Sequence, residues 1–117
     1  MNISCESNLN HTDVVFYENA AGQEVEDEFQ GPGVSCNILT KTWFWRCEDS
    51  ESILKSSEWV IKKINDMNRH NVTFILNGAP NQKGKLDENV FQRFAQVGAL
   101  YKKIQDVTKL PANWLYK

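Results

Sequence analysis

The chain has 117 residues, of which 41% are hydrophobic and 24% charged, and a formal net charge of −2. That length allows one domain with a modest core, and the interspersed acids and bases leave no footprint for nucleic acid or an anionic membrane surface. No apolar run approaches the roughly 18 residues of a membrane-spanning helix.

The opening MNISCESNLN lacks both the basic start and the apolar stretch of a signal peptide. Either the chain is cytoplasmic or its true N-terminus lies elsewhere, and the compartment is left open. Residues 1–11 are polar and unpatterned and read as a disordered lead-in. Asp13–Tyr17 (DVVFY) is a short β-branched and aromatic run, the pattern of a buried strand. The acidic stretch ENAAGQEVEDEFQGPG, Glu18–Gly33, is punctuated by Gly and Pro and reads as a loop. Thr42–Arg46 (TWFWR) is predicted to be the second strand. Asp49 or Ser50 then suits the N-cap of a helix running to about Asn68, with Glu51 in its first turn. Ile53, Leu54, Val60, Ile61, Ile64 and Met67 fall on one apolar stripe of that helix.

Val72–Leu76 is the third predicted strand, without polar alternation, as expected when both faces are covered. A polar loop holding Asn77, Gly78, Pro80 and Gly84 leads to a last long helix that starts at Asp87 or Glu88. In it Val90, Phe91, Phe94, Val97, Leu100, Tyr101 and Ile104 recur at helical spacing. Strands alternating with helices, with no hairpin signal, predict an α/β class with parallel pairing. Three parallel strands and two long helices make less than half a barrel, with sheet edges that expose unpaired backbone. The pattern therefore predicts a partial (β/α) TIM-like barrel, a piece of a larger fold.

The three cysteines, Cys5, Cys36 and Cys47, form no CxxC pair and leave one over in any disulfide scheme. With only His11 and His70 beside them, a zinc site has little to draw on, and no metal or other cofactor is expected. Asn2, Asn10 and Asn71 match the N-x-[ST] acceptor pattern, a short pattern common by chance; Asn71 opens a predicted buried strand, a poor place for a glycan.

Several motifs recur here in a definite order: Trp43-Phe44-Trp45 on the predicted strand, Lys55-Ser56 in the following helix, Ile75-Leu76-Asn77 and Pro80 after the next strand, the turn Asn81–Gly84, and Gln92-Arg93-Phe94 through Val97-Gly98. That order and spacing resemble the closing part of the catalytic domain of the α-L-fucosidases, glycoside hydrolase family 29. DVVFYEN resembles the strand that precedes the family's variable acid/base loop. The resemblance covers residues 12–104 and implies the C-terminal half of a fucosidase-like barrel domain, followed by a tail or linker at 105–117.

What the resemblance implies is retaining hydrolysis of terminal α-L-fucose from glycans, with an Asp nucleophile and a second carboxyl group acting first as acid and then as base. In the family the nucleophile ends a strand that precedes the DVVFY-like one. Only twelve residues lie before Asp13, and none of them forms an Asp-bearing strand. The nucleophile is thus expected to be absent and the isolated chain inactive. The acid/base comes from the loop after the DVVFY-like strand, where Glu18, Glu24 and Glu26 are the candidates and Glu28 an outsider. Glu18 stands just past the strand's end; Glu24 and Glu26 lie deeper in the loop, and a solvated acidic face is the bland alternative for all of them. Asn19 stands near the point where some subfamilies carry an Arg, which leaves sugar contacts there in doubt.

On a strand, Trp43 and Trp45 would share one face and Phe44 would take the other. The two indoles either stack on the sugar's C–H face and methyl group or pack in the core. Arg46 either reaches a hydroxyl or carboxylate of the site or pairs with Glu48 or Asp49. For Asn77, closing the turn before Pro80 is favoured over positioning a neighbour. Trp59, at helical spacing with Lys55 and Lys63, reads as packing, and Trp114 as cover for an apolar patch or part of a linker. Three functional classes follow: a fucosidase-like fragment, which is favoured, a non-catalytic binder of fucosylated glycan, and a chain-pairing module that supplies half a barrel to the missing half.

Overall fold

A computed structural model of the chain describes residues 14–18 and 24–102. Strands β1 (Val15–Glu18), β2 (Gly33–Ile38) and β3 (Val72–Asn77) form one sheet in the order β1-β2-β3, with both pairings parallel. Helix α1 (Ser57–Arg69) leads into β3, and helix α2 (Glu88–Leu100) follows it. The expected class is therefore the observed one, a partial α/β fold with parallel strands.

Register divides the strand residues between two faces. Val15, Gly33 and Val72 align in one row, Tyr17, Ser35 and Phe74 in the next, and Asn37 with Leu76 beyond them. Because side chains alternate along a strand, these rows share one face. Val15, Tyr17 and Val72 pack there with Met67 of α1 and with Phe29 from the connection after β1, and Val25 and Phe74 lie beside them. A second cluster, Leu39, Leu54, Val60, Val90 and Val97, joins α1, α2 and the exit of β2, with Ile61, Ile64, Leu76 and Phe94 against it. Of the helical stripes read from the sequence, Leu54, Val60, Ile61, Ile64, Met67, Val90, Phe94 and Val97 make these contacts, whereas Ile53, Phe91, Leu100 and Tyr101 are exposed.

The opposite face carries Phe16, Val34 and Thr73, then Glu18, Cys36 and Ile75, then Ile38 and Asn77. None of these residues belongs to either core cluster, and Phe16 and Ile75 are 54% and 46% exposed. The expectation that helices cover β3 on both faces is thus corrected: they cover one. In a (β/α) barrel the helices lie outside, so a face left bare in this way corresponds to the interior.

Two further expectations are overturned. TWFWR is not a strand; the second strand is Gly33–Ile38, which begins at the end of the stretch read as a loop. Its alternate residues Ser35 and Asn37 are polar yet buried, and the Asn37 amide donates to Ser35 Oγ at 3.0 Å. A hydrogen bond between the two lowers the cost of placing polar groups in a core, but their polarity erases the apolar pattern by which a central strand is recognised. The helix predicted from Asp49 or Ser50 is instead a short 3-10 turn, Cys47–Glu51, a break, and then α1. Asp49 caps the short turn by accepting the Arg46 N–H at 2.8 Å, while Ser56 is the true N-cap of α1 and accepts from Trp59 N at 3.1 Å. Asp87 is the N-cap of α2 as read, and α2 ends at Leu100. The lead-in 1–11, the tail 105–117, Cys5, His11, Asn2, Asn10, Asn19, Ile104 and Trp114 lie outside the described residues.

Gly31 and Gly84 have φ of +71° and +72°, a region that costs an L-residue about 1–2 kcal/mol. A Cβ at Gly84 would meet nothing within 4 Å, whereas at Gly31 it would lie 2.5 Å from the Asn71 carbonyl oxygen and 2.9 Å from that of His70. Gly84→Ala is expected to cost about 1 kcal/mol and Gly31→Ala about 3 kcal/mol, since backbone atoms must shift to admit the methyl. Urea midpoints of the two variants check this; equal losses would contradict it.

Candidate functional site

The carboxyl ends of β1, β2 and β3 are Glu18, Ile38 and Asn77, and all three residues stand on the helix-free face. This is the end at which parallel α/β folds gather their chemistry. The segment leaving β2 is built by local hydrogen bonds. Leu39 N donates to the Asn77 carbonyl at 3.2 Å, Thr40 Oγ1 to the Thr42 carbonyl at 2.9 Å, and Thr42 Oγ1 to the Phe44 carbonyl at 3.0 Å. Asn77 Nδ2 donates to the Trp43 carbonyl at 2.6 Å. Threonine hydroxyls and an amide that claim backbone carbonyls in this way compete with a strand ladder. That is why an aromatic, β-prone sequence forms a loop here.

Trp43 and Trp45 therefore do not share a face by strand alternation. Trp43 is 41% exposed and Phe44 78%. Trp45 is half-buried, and its Nε1–H donates to Asp87 Oδ2 at 2.7 Å. The other oxygen of Asp87 accepts from Asn81 Nδ2 at 3.0 Å. Asn81 closes its own loop, accepting the N–H groups of Lys83 and Lys85 on Oδ1 while its N–H donates to the Lys85 carbonyl at 2.7 Å. The loop after β3 thus holds the Trp45 indole in place, and Trp43 beside it stays open to solvent. Asp87 and Asn81 were not among the site residues read from sequence. Asp87 gives the signal of a helix cap, but it makes no side-chain cap bond and turns its carboxylate to Trp45.

Arg46 lies 3.5 Å from Glu48 and 3.7 Å from the buried Asp49, so its guanidinium serves the ion pairs that were its bland alternative. Of the carboxylate candidates, Glu18 is half-buried on the helix-free face, in the row of Cys36 and Ile75. Burial, helped by the nearby Glu18 charge, pushes the Cys36 thiol above its ordinary range. Glu24 lies 3.7 Å from Lys63 of α1, on the helix side of the sheet. Glu26 and Glu28 are exposed in the same connection, whose Val25 and Phe29 pack on the helix side. The structure thus joins Asn77 to Trp43, fixes Trp45 separately through Asp87, and separates Glu24 from Glu18. Among the described residues no three His, Cys, Asp or Glu side chains cluster to hold a metal ion, and no helix is long and apolar enough to cross a membrane.

No protein-family model matches the chain, and no curated protein matches its sequence. Among solved structures it is similar to α-L-fucosidase isoenzyme 1 from Paenibacillus thiaminolyticus, with a TM-score of 0.61 at 20% identity, over 74% of this chain and 21% of that one. The likeness is one of fold: the chain has a fucosidase-like partial α/β fold and spans about a fifth of that enzyme's length.

Asp87→Ala removes the acceptor of both Trp45 Nε1–H and Asn81 Nδ2–H, and it is expected to cost about 2 kcal/mol. Glu24→Gln breaks only an ion pair whose carboxylate is exposed, a kind that contributes about 0–1 kcal/mol, and it should lower the thermal midpoint less than Asp87→Ala does. Parallel melts check both; a larger loss from Glu24→Gln would contradict the assignment.

Proposed function

We propose that the chain forms part of a retaining α-L-fucosidase-like barrel of glycoside hydrolase family 29, and that the carboxyl end of its sheet contributes to recognising terminal α-L-fucose on glycans. The observation that carries this reading is a fold shared with an α-L-fucosidase over 74% of the chain, by a sequence whose motifs resemble those of that family in their order. In this reading the exposed Trp43 offers its ring to the apolar face of the sugar, and Trp45, fixed by Asp87, forms a rigid wall beside it. Asn77 holds the aromatic loop through the Trp43 carbonyl, and Arg46 steadies the turn that follows. Glu18 ranks ahead of Glu24 and Glu26 as the acid/base, because it ends a strand on the face that a barrel turns inward.

Retaining hydrolysis needs two carboxyl groups about 5–5.5 Å apart, one to protonate the leaving oxygen and one to attack the anomeric carbon. On the helix-free face of the described sheet Glu18 is the only carboxylate. The nucleophile in this reading comes from outside the described sheet, and the chain alone is inactive. A second reading is a non-catalytic fucose-binding or chain-pairing module. It is favoured by the exposed Phe16 and Ile75 and by the outer edges of β1 and β3, which carry no strand partner among the described residues.

The purified chain is expected to release no p-nitrophenol from its α-L-fucoside above the buffer rate. Release that Glu18→Gln abolishes would show that a complete carboxylate pair is present and would overturn the reading.

A further inference from the structure

Lys55 lies in the short segment between the 3-10 turn and α1, where no ligand role falls to it, yet each of its polar groups is engaged. Its ammonium donates to the Ile38 carbonyl at 2.5 Å, where β2 ends, and sits 4.6 Å from the centre of the Trp59 ring. Its backbone N–H donates to the Leu39 carbonyl at 3.2 Å, and its own carbonyl accepts from Arg93 of α2. Burial, with the Lys63 charge nearby, draws the ammonium below its ordinary range. Partial desolvation of a cation is tolerated where a carbonyl and an aromatic face replace water, and both are present here.

The next two carbonyls along the chain after Asn37, those of Ile38 and Leu39, are thus both held by one residue. Leu39 N–H is held by the Asn77 carbonyl, and Asn77 Nδ2 in turn holds the Trp43 carbonyl. We propose that Lys55 is a positioning residue for the aromatic loop: by clamping the Ile38 and Leu39 carbonyls against α1 and α2 it sets the direction in which the chain leaves β2 and hence where Trp43 and Trp45 stand. The functional weight of this clamp rests on the reading of that loop as a sugar-recognition surface, but its structural action does not.

The experiment is peptide-resolved amide hydrogen exchange on the full chain and two variants, without sugar. Lys55→Met keeps an apolar stem over Trp59 and removes the charged donor; Lys55→Arg keeps a donor that also stacks on an indole. Lys55→Met is expected to speed exchange in the peptide 39–46, at its bonded Leu39 and Arg46 amides, about tenfold or more, while residues 60–69 and 90–100 stay within about twofold, and Lys55→Arg is expected to return those two amides to the wild-type rate. No change at 39–46, an increase spread evenly over all peptides, or failure of Arg to restore protection would each overturn the proposal. If the Met variant does not fold, the Lys55 Nζ signal of the unaltered chain decides by nitrogen NMR. Slow exchange of the ammonium protons with water supports the clamp, and exchange as fast as that of the exposed Lys62 overturns it. Because no step uses fucose, failure here and failure of the fucosidase reading are told apart.

Discussion

The parallel seat of β2 between β1 and β3 is the constraint on which the remaining features depend. It aligns three carboxyl ends at Glu18, Ile38 and Asn77 and assigns alternate residues to a helix-covered and a helix-free face. The covered face is stabilised by Tyr17, Phe29, Met67 and Val72 in one cluster and by Leu39, Val60 and Val90 in the other. The bare face keeps Phe16 and Ile75 in contact with solvent. A sheet built this way has a finished outside and an unfinished inside, which is the signature of a barrel segment.

The site at the carboxyl end inherits its rigidity from that frame. Three anchors meet there: Lys55 on the carbonyls that end β2, Asn77 on the Trp43 carbonyl, and Asp87 on the Trp45 indole. Asn77 ends β3, Asp87 closes the connection after it, and Lys55 lies further along the β2–α1 connection, so the packing of both helices against the sheet adds to the loop's own threonine bonds in fixing it. Cation, amide and carboxylate each bond to a group of the loop that would otherwise face water or a weaker partner. The carboxylates follow the same division of faces. Glu18 stands on the side a barrel encloses, and Glu24 is tied to Lys63 on the outside.

Much of this was legible in the sequence, and the misses have physical causes. β3 was readable as a short apolar run and α2 because its apolar residues recur at helical spacing, and Asp87 before Glu88 marks the helix start. β1 was readable from DVVFY for the same reason, although its placement begins at Val15. β2 was hidden because the polar Ser35 and Asn37 occupy core positions, bonded to each other, so no propensity scale sees a buried strand there. TWFWR misled in the opposite sense, since its aromatic residues favour strands but Thr40 and Thr42 turn its carbonyls to local partners. Asp49 and Ser56 both cap, and only the structure shows which of them starts the long helix. Among the candidate residues, Trp43, Asn77 and Glu18 were named from their positions, whereas the bond from Trp45 to Asp87 could not be, because a carboxylate ahead of a helix ordinarily signals a cap and nothing more.

The central claim is that this sheet supplies one side of a fucose site and that the other side lies outside the described residues. A thermal melt of the chain with and without millimolar L-fucose tests it most directly, because a ligand that binds only the folded state raises the midpoint. The account predicts a midpoint that sugar leaves unchanged. A midpoint raised by L-fucose and not by D-glucose would contradict it and establish an independent glycan-binding domain.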